Sequence, residues 1–313
     1  MRRLAALLLL PLLLQARPAA ADLVYVLNSG DASVSILDGF TRQEIRRFPM
    51  LREPHHLVLS PDGRDLLIAD SGGNEIFFVD PNTGETRRRE RISNPYHLAY
   101  SPDGRYLVVA SLRRNQVDIY DARGPQLVAR LRTPDKPSHI AFNPDSRTAF
   151  VTLQGTGMVA AISLETHQML WEAPVGREPA GIAWHRGKLI VGVMGTDSFA
   201  VLNPETQQVE RTIPIGRGAH QVFVAPDGRS IWLTSRVQSR LAELDPSTLE
   251  VRRVIELPGG PDDIAFDPDG RLWTTLRWAG RIARFDPRSG EVELVRVGRS
   301  PHGVFVQPRR GEQ

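Results

Sequence analysis

The chain has 313 residues, 39 of them basic and 36 acidic, with 26 glycines, 24 prolines and no cysteine. Without cysteine there are no disulfides, no thiolate metal sites and no cysteine nucleophile. The small basic excess lies in Arg2, Arg3 and Arg17. The rest of the chain carries 36 charges of each sign, so no nucleic-acid partner is expected.

Residues 1–21 read as a Sec-type signal peptide. Arg2 and Arg3 form the charged start, Leu4 to Leu14 the apolar run, and Ala19-Ala20-Ala21 a small-residue cleavage site. The apolar run is too short for a membrane span. Cleavage after Ala21 is expected to deliver a periplasmic or secreted protein with no membrane anchor.

Next come two short apolar runs, Leu23 to Asn28 and Ser33 to Asp38, which read as a strand pair. Equivalent pairs recur at 66–80, 107–121, 150–163, 189–203, 231–245 and 272–286. Each is preceded by a further strand entered through a proline loop. The loops are Glu53-Pro54-His55-His56, Asn94-Pro95-Tyr96-His97, Lys136-Pro137-Ser138-His139, Glu178-Pro179-Ala180-Gly181, Gly218-Ala219-His220-Gln221, Gly260-Pro261-Asp262-Asp263 and Ser300-Pro301-His302-Gly303. The prolines, with Ala219 replacing one, stand 41, 42, 42, 40, 42 and 40 residues apart.

Two turn types punctuate each unit. One is Pro-Asp-Gly, as at Pro61-Asp62-Gly63. The other is Asp-Pro-x-x-Gly, as at Asp80 to Gly84, which leads to a polar fourth strand such as Thr86-Arg87-Arg88-Arg89. Proline presets φ and glycine supplies the positive φ that reverses the chain. The arginine run reads as a solvated outer edge, where charge discourages sheet-to-sheet pairing.

A period near 40 with four strands per unit predicts an all-β, seven-bladed β-propeller over residues 22–308, followed by a disordered tail at 309–313. Residues 23–50 supply three strands and lack the first, whereas 301–308 supply a lone first strand. One blade built from both termini would close the ring.

Val24-Tyr25-Val26-Leu27-Asn28 followed by Val34-Ser35-Ile36-Leu37-Asp38 resembles the YVTN repeat of YncE-type propellers, with Leu27 where threonine is usual. Asp269 to Thr274, Gly280-Arg281-Ile282 and Pro301-His302-Gly303 are also similar to blades of the streptogramin B lyase family. The first resemblance implies the fold and leaves the function open. The second implies metal-assisted proton abstraction at the channel mouth, with His302 as the candidate catalytic residue. The glutamate usual in those blades is replaced by Leu276.

The two residues after each loop proline are expected to ring one mouth of the channel. Those 14 slots hold His55, His56, His97, His139, His220 and His302, six of the eight histidines, together with Asp262 and Asp263. A histidine at a strand junction often merely caps backbone, but the slots differ from unit to unit, which favours function. His56, His97, His139, Asp262 and Asp263 are candidate ligands for a divalent metal such as zinc, copper, iron, nickel or magnesium. His55, Tyr96, His220, Arg113, Arg236, Arg277 and Trp278 are candidates for a small anionic ligand or flat cofactor. His167 and His185 are expected at the surface.

The expectation is a monomeric binding or accessory protein that takes a ligand, metal or partner segment at this mouth. The alternatives are a metal-dependent lyase or lactonase, and a scaffold for protein or cell-wall contacts.

Overall fold

A computed structural model describes residues 21–309. The leader, up to its last residue, and the tail beyond residue 309 lie outside the described residues. Seven four-stranded antiparallel sheets form the blades of a propeller.

In blade 1 the strands are Pro54–Leu59, Leu66–Asp70, Glu75–Val79 and Thr86–Arg91. The innermost strands of blades 2 to 7 are His97–Tyr100, Pro137–Phe142, Pro179–His185, Ala219–Val224, Pro261–Phe266 and Pro301–Gln307. Blade 7 places Pro301–Gln307 beside Leu23–Asn28, then Ser33–Asp38 and Glu44–Pro49, so both chain ends share one sheet. The seam pairs Leu23 with Gln307, Tyr25 with Phe305 and Val26 with Val304. The Tyr25 hydroxyl also donates to the Pro81 carbonyl of blade 1 at 2.8 Å.

The second strand of each blade is apolar on both faces because blades stack on both sides of it. Leu66 and Ile68 pack toward blade 7, while Leu67 and Ala69 pack toward blade 2. The core is therefore seven apolar clusters, one between each pair of neighbouring blades. The outer strand carries the charge: in Thr86–Arg91, Arg87 pairs with Asp65 and Asp80, and the Arg88 guanidinium lies 3.4 Å from the centre of the Phe78 ring.

The turns form as their chemistry dictates. The glycines of the four Pro-Asp-Gly turns have φ between 66° and 80°, and the Asp62 carboxylate accepts the backbone N–H of Arg64. Three of the loops between second and third strands wind into single 3-10 turns, Ser29–Asp31, Leu112–Arg114 and Met194–Thr196, instead of the open loops read from sequence. Ala32, Asn115 and Asp197 end them in the left-handed conformation.

Candidate functional site

Six of the seven proline loops enter the innermost strand through a residue with positive φ: Asn94, Lys136, Glu178, Gly218, Gly260 and Ser300. Blade 1 uses another device. The buried Asp70 carboxylate accepts the backbone N–H groups of Leu51, Arg52, Glu53 and Gly73 at 2.7–2.9 Å, and so fixes the loop that presents His55. Beyond the proline the pairing slips. Pro54 pairs with Asp70 but His56 pairs with Ala69, and blades 3, 4, 5 and 6 slip at the same place. A bulge breaks the strict inward-outward alternation of a strand. Both His55 and His56 consequently join the mouth.

Six histidines come together there. The His55 ring centre lies 4.0 Å from that of His302. His56 lies 4.6 Å from His55 and from His97, 4.7 Å from His302 and 5.1 Å from His139. His139 stands 5.8 Å from His220, and Tyr96 covers His55 at 4.1 Å. The five histidines other than His97 are at most 5% exposed, and His97 and Tyr96 are half-buried.

Hydrogen bonds select the tautomers. The Tyr96 carbonyl can only accept, so His56 Nδ1, 2.7 Å away, carries the proton. His55 Nδ1 lies 2.8 Å from the same atom and must be bare, which puts its proton on Nε2. His56 Nε2 is then a lone pair, and it is buried with no partner among the described residues.

Asp262 sits at the floor, fully buried. Its oxygens lie 2.7 Å from His220 Nδ1 and 3.1 Å from His302 Nδ1, and Arg277 and Arg236 approach at 3.2 and 3.5 Å. The imidazole contacts are short but off the line of a straight hydrogen bond, which a turn of either ring would complete. A carboxylate against Nδ1–H leaves Nε2 of both rings as lone pairs, an arrangement that orients histidines for a metal.

Burial sets the charge states. It lowers the histidines below their usual range, to about 3 at His97, helped by His302, and to about 4 at His220, where Arg236 adds to it and Asp262 opposes it. His55, His56 and His139 go the same way by burial and mutual repulsion, and His302 by burial against the pull of Asp262. Burial alone would raise Asp262, but His302, His220 and Arg236 outweigh it and hold this carboxyl well below the usual range. The site is therefore a set of neutral imidazoles around one carboxylate. One nitrogen from each of His55, His56 and His302 lies within 4.8 Å of those of the other two.

Other residues expected at the site are placed elsewhere. Asp263 does not join the cluster: its carboxylate accepts the backbone N–H groups of Ile264 and Val304. Burial and the Asp262 charge push it up to about 8. Arg113 is exposed and pairs with Glu53 at 2.8 Å, away from the imidazoles. Trp278 is 59% exposed at the rim. His167 and His185 are half-buried rather than surface groups. His167 packs edge-on to Tyr106, and His185 Nε2 meets the Pro246 carbonyl.

Several supporting residues escaped the sequence reading. The hydroxyls of Thr152, Thr234 and Thr275 accept the N–H of His139, Gln221 and Asp263, and donate to the carbonyls of Ala180, Asp262 and His302 in the next blade. Their equivalent positions in the repeats were the available signal. Ser138 Oγ lies 2.6 Å from His139 Nδ1 and accepts from Gln154.

Over residues 9–309 the sequence matches the model of the YNCE-like beta-propeller family. Antigen Lp49 of Leptospira interrogans is 25% identical over 185 residues, covering 51% of this chain and 40% of that protein, so the match spans under half of that relative's length. The periplasmic gluconolactonase PpgL of Pseudomonas aeruginosa superposes with a TM-score of 0.74 at 19% identity, covering 92% of this chain and 99% of that one. Virginiamycin B lyase from Staphylococcus aureus gives 0.68 at 15% identity, covering 82% and 92%. At these identities the two structures share the fold alone.

Proposed function

The chain belongs to the YNCE-like β-propeller family, and from that premise we propose that it is an exported binding protein whose imidazole cluster holds one transition-metal ion at the channel mouth. The observation that carries this reading is the trio His55, His56 and His302, with nitrogens inside 4.8 Å and low exposure. Bonds of about 2.0–2.1 Å to a zinc-like ion are reached from that spacing by small ring movements. Asp262 faces Nδ1 of His302, which leaves the Nε2 lone pair of that ring free for the ion.

The size of the site selects among occupants. Ring centres 4.0–4.7 Å apart are in van der Waals contact, which leaves no room for a flat macrocycle between them, whereas nitrogens turned to a common point would hold a single ion. Neutral imidazoles favour zinc, copper, nickel or iron(II) over magnesium, which prefers oxygen. Buried nitrogens without partners among the described residues, such as His56 Nε2 and His139 Nε2, are what an ion or a water would satisfy. An enzymatic reading lacks comparable support: Asp263, the carboxyl that is protonated near neutral pH, is tied to backbone rather than to the cluster.

The test is titration of chelator-treated protein with Zn²⁺, Cu²⁺ and Ni²⁺ by calorimetry, with Cu²⁺ also followed by electron paramagnetic resonance. One equivalent with nitrogen hyperfine structure is expected, weakened at least about tenfold in His56→Gln and His302→Gln and unchanged in His185→Gln. Stoichiometric binding that ignores both cluster replacements, or no binding at all, would overturn the reading.

A further inference from the structure

Beside the imidazoles, between the loops of blades 4, 5 and 6, lies a cleft of about 510 Å³ lined by Arg217, Arg236, Arg277, Val237, Met194 and Trp278, with Glu178 and Asp197 among its acidic neighbours. Its volume suits a small organic molecule. Two features make it a built site rather than a gap between loops.

The first is unspent donor capacity. Asp262 offers one negative charge to two guanidiniums. Arg236 turns Nη2 to the Met194 thioether at 3.3 Å, a weak acceptor, and Arg277 has Asp262 as its one hydrogen-bond acceptor among the described residues. Each guanidinium side chain is only about a fifth exposed, at 23% and 21%. Their pull on an anion is therefore less screened than the repulsion from exposed Glu178. The two acids set a limit too: a single carboxylate is welcome, whereas a polyanion meets repulsion.

The second is a seated indole. The backbone N–H of Trp278 donates to the Gly259 carbonyl and that of Arg277 to the Gly260 carbonyl, at 2.9 and 3.0 Å, which fixes the loop that carries the indole. The indole rests on Gly260, whose φ is 73° and where an added Cβ would come within 2.8 Å of the ring. The ring is thus held in place while 59% of the residue stays exposed. The adjoining cleft on its other side is lined by Arg47, Arg296 and Arg299, of which Arg47 and Arg299 are already paired with Glu44 and Asp31.

We propose that this cleft binds a small aromatic monocarboxylate, with the carboxylate bridging Arg236 and Arg277 and the ring lying on Trp278. Planar forks suit a carboxylate, and an exposed indole suits an aryl ring. The site stands whether or not the histidines hold a metal, so it is tested on chelator-treated protein.

Calorimetry with 1-naphthoate is compared with acetate, which lacks the ring, and with 1-naphthalenemethanol, which lacks the charge. Naphthoate is expected to bind with 1:1 stoichiometry, and each control about tenfold or more weaker. Trp278→Ala, an exposed change that spares the fold, should weaken naphthoate about three- to tenfold and leave acetate unchanged. Arg236→Gln should weaken both acids. Absence of saturable naphthoate binding, or equal affinity in wild type and Trp278→Ala, overturns the proposal. Metal binding that survives such a failure leaves the imidazole site standing, and the converse result removes that site alone.

Discussion

Replacing Asp262 with asparagine keeps the shape of the floor and removes its charge. In the native protein that carboxylate is fully buried and faces two imidazole Nδ1 atoms at 2.7 and 3.1 Å and two guanidiniums at 3.2 and 3.5 Å. Breaking a buried ion pair by removing one partner costs about 3–5 kcal/mol. The arginines retain roughly a fifth of their exposure and can turn toward water, so the lower end applies, about 3 kcal/mol. The amide also stops enforcing Nδ1–H on His220 and His302, so metal affinity should fall about 10- to 100-fold. Urea unfolding at pH 7.5 of chelator-treated protein reads the first number, and Zn²⁺ calorimetry the second. Unchanged stability would mean that the guanidiniums do not depend on this carboxylate. Unchanged affinity would mean that it does not orient the donors.

Acid should unfold the protein through its histidines. His97 is held near 3 in the fold against about 6.5 in the unfolded chain, so its contribution is present above pH 6.5 and lost as the pH falls toward 3. Between pH 7.5 and 5, wild type should lose about 2 kcal/mol more than His97→Gln, measured by urea midpoints, and equal losses would show that the ring is not buried neutral. Asp263 works in the opposite sense: its folded value near 8 gives stability at low pH that is lost as the pH rises from about 4 toward 8, so Asp263→Asn should show the smaller decline over that window. Thr275→Val removes a donor to the His302 carbonyl at 2.6 Å and an acceptor for the Asp263 N–H, and should cost about 1–3 kcal/mol in the same assay. Gly192→Ala drives a methyl group onto the His220 carbonyl and should cost about 1–3 kcal/mol as well as weakening Zn²⁺ binding; a neutral result would mean that blades 4 and 5 can part there freely.

The repeat made the ring legible. Prolines about 40 residues apart, and a missing first strand at one end matched by a lone strand at the other, fix the number of blades and the closure. The gathering of His55, His56, His97, His139, His220 and His302 was legible for the same reason, because equivalent positions in a repeat become a ring in space. Orientation was not. His55 and His56 both face the mouth while Asp263, beyond an equivalent slip, is taken up by the backbone N–H groups of Ile264 and Val304, and no local composition encodes that difference. Nor could spacing show that Asp262 is the counter-ion of the site, because its partners Arg236 and Arg277 lie 26 residues before it and 15 after it and meet it only through the blade stack. Arg113 reads like these two in sequence, yet Glu53 holds it outside.

His302 rides on Pro301–Gln307, the last strand among the described residues, which becomes the innermost strand beside Leu23–Asn28. A polypeptide halted before residue 300 can stack six complete sheets and still lack both its latch and one member of the nitrogen trio. The proposed metal trio is therefore completed only when Pro301–Gln307 pairs with Leu23–Asn28, so ring closure and site assembly are one step.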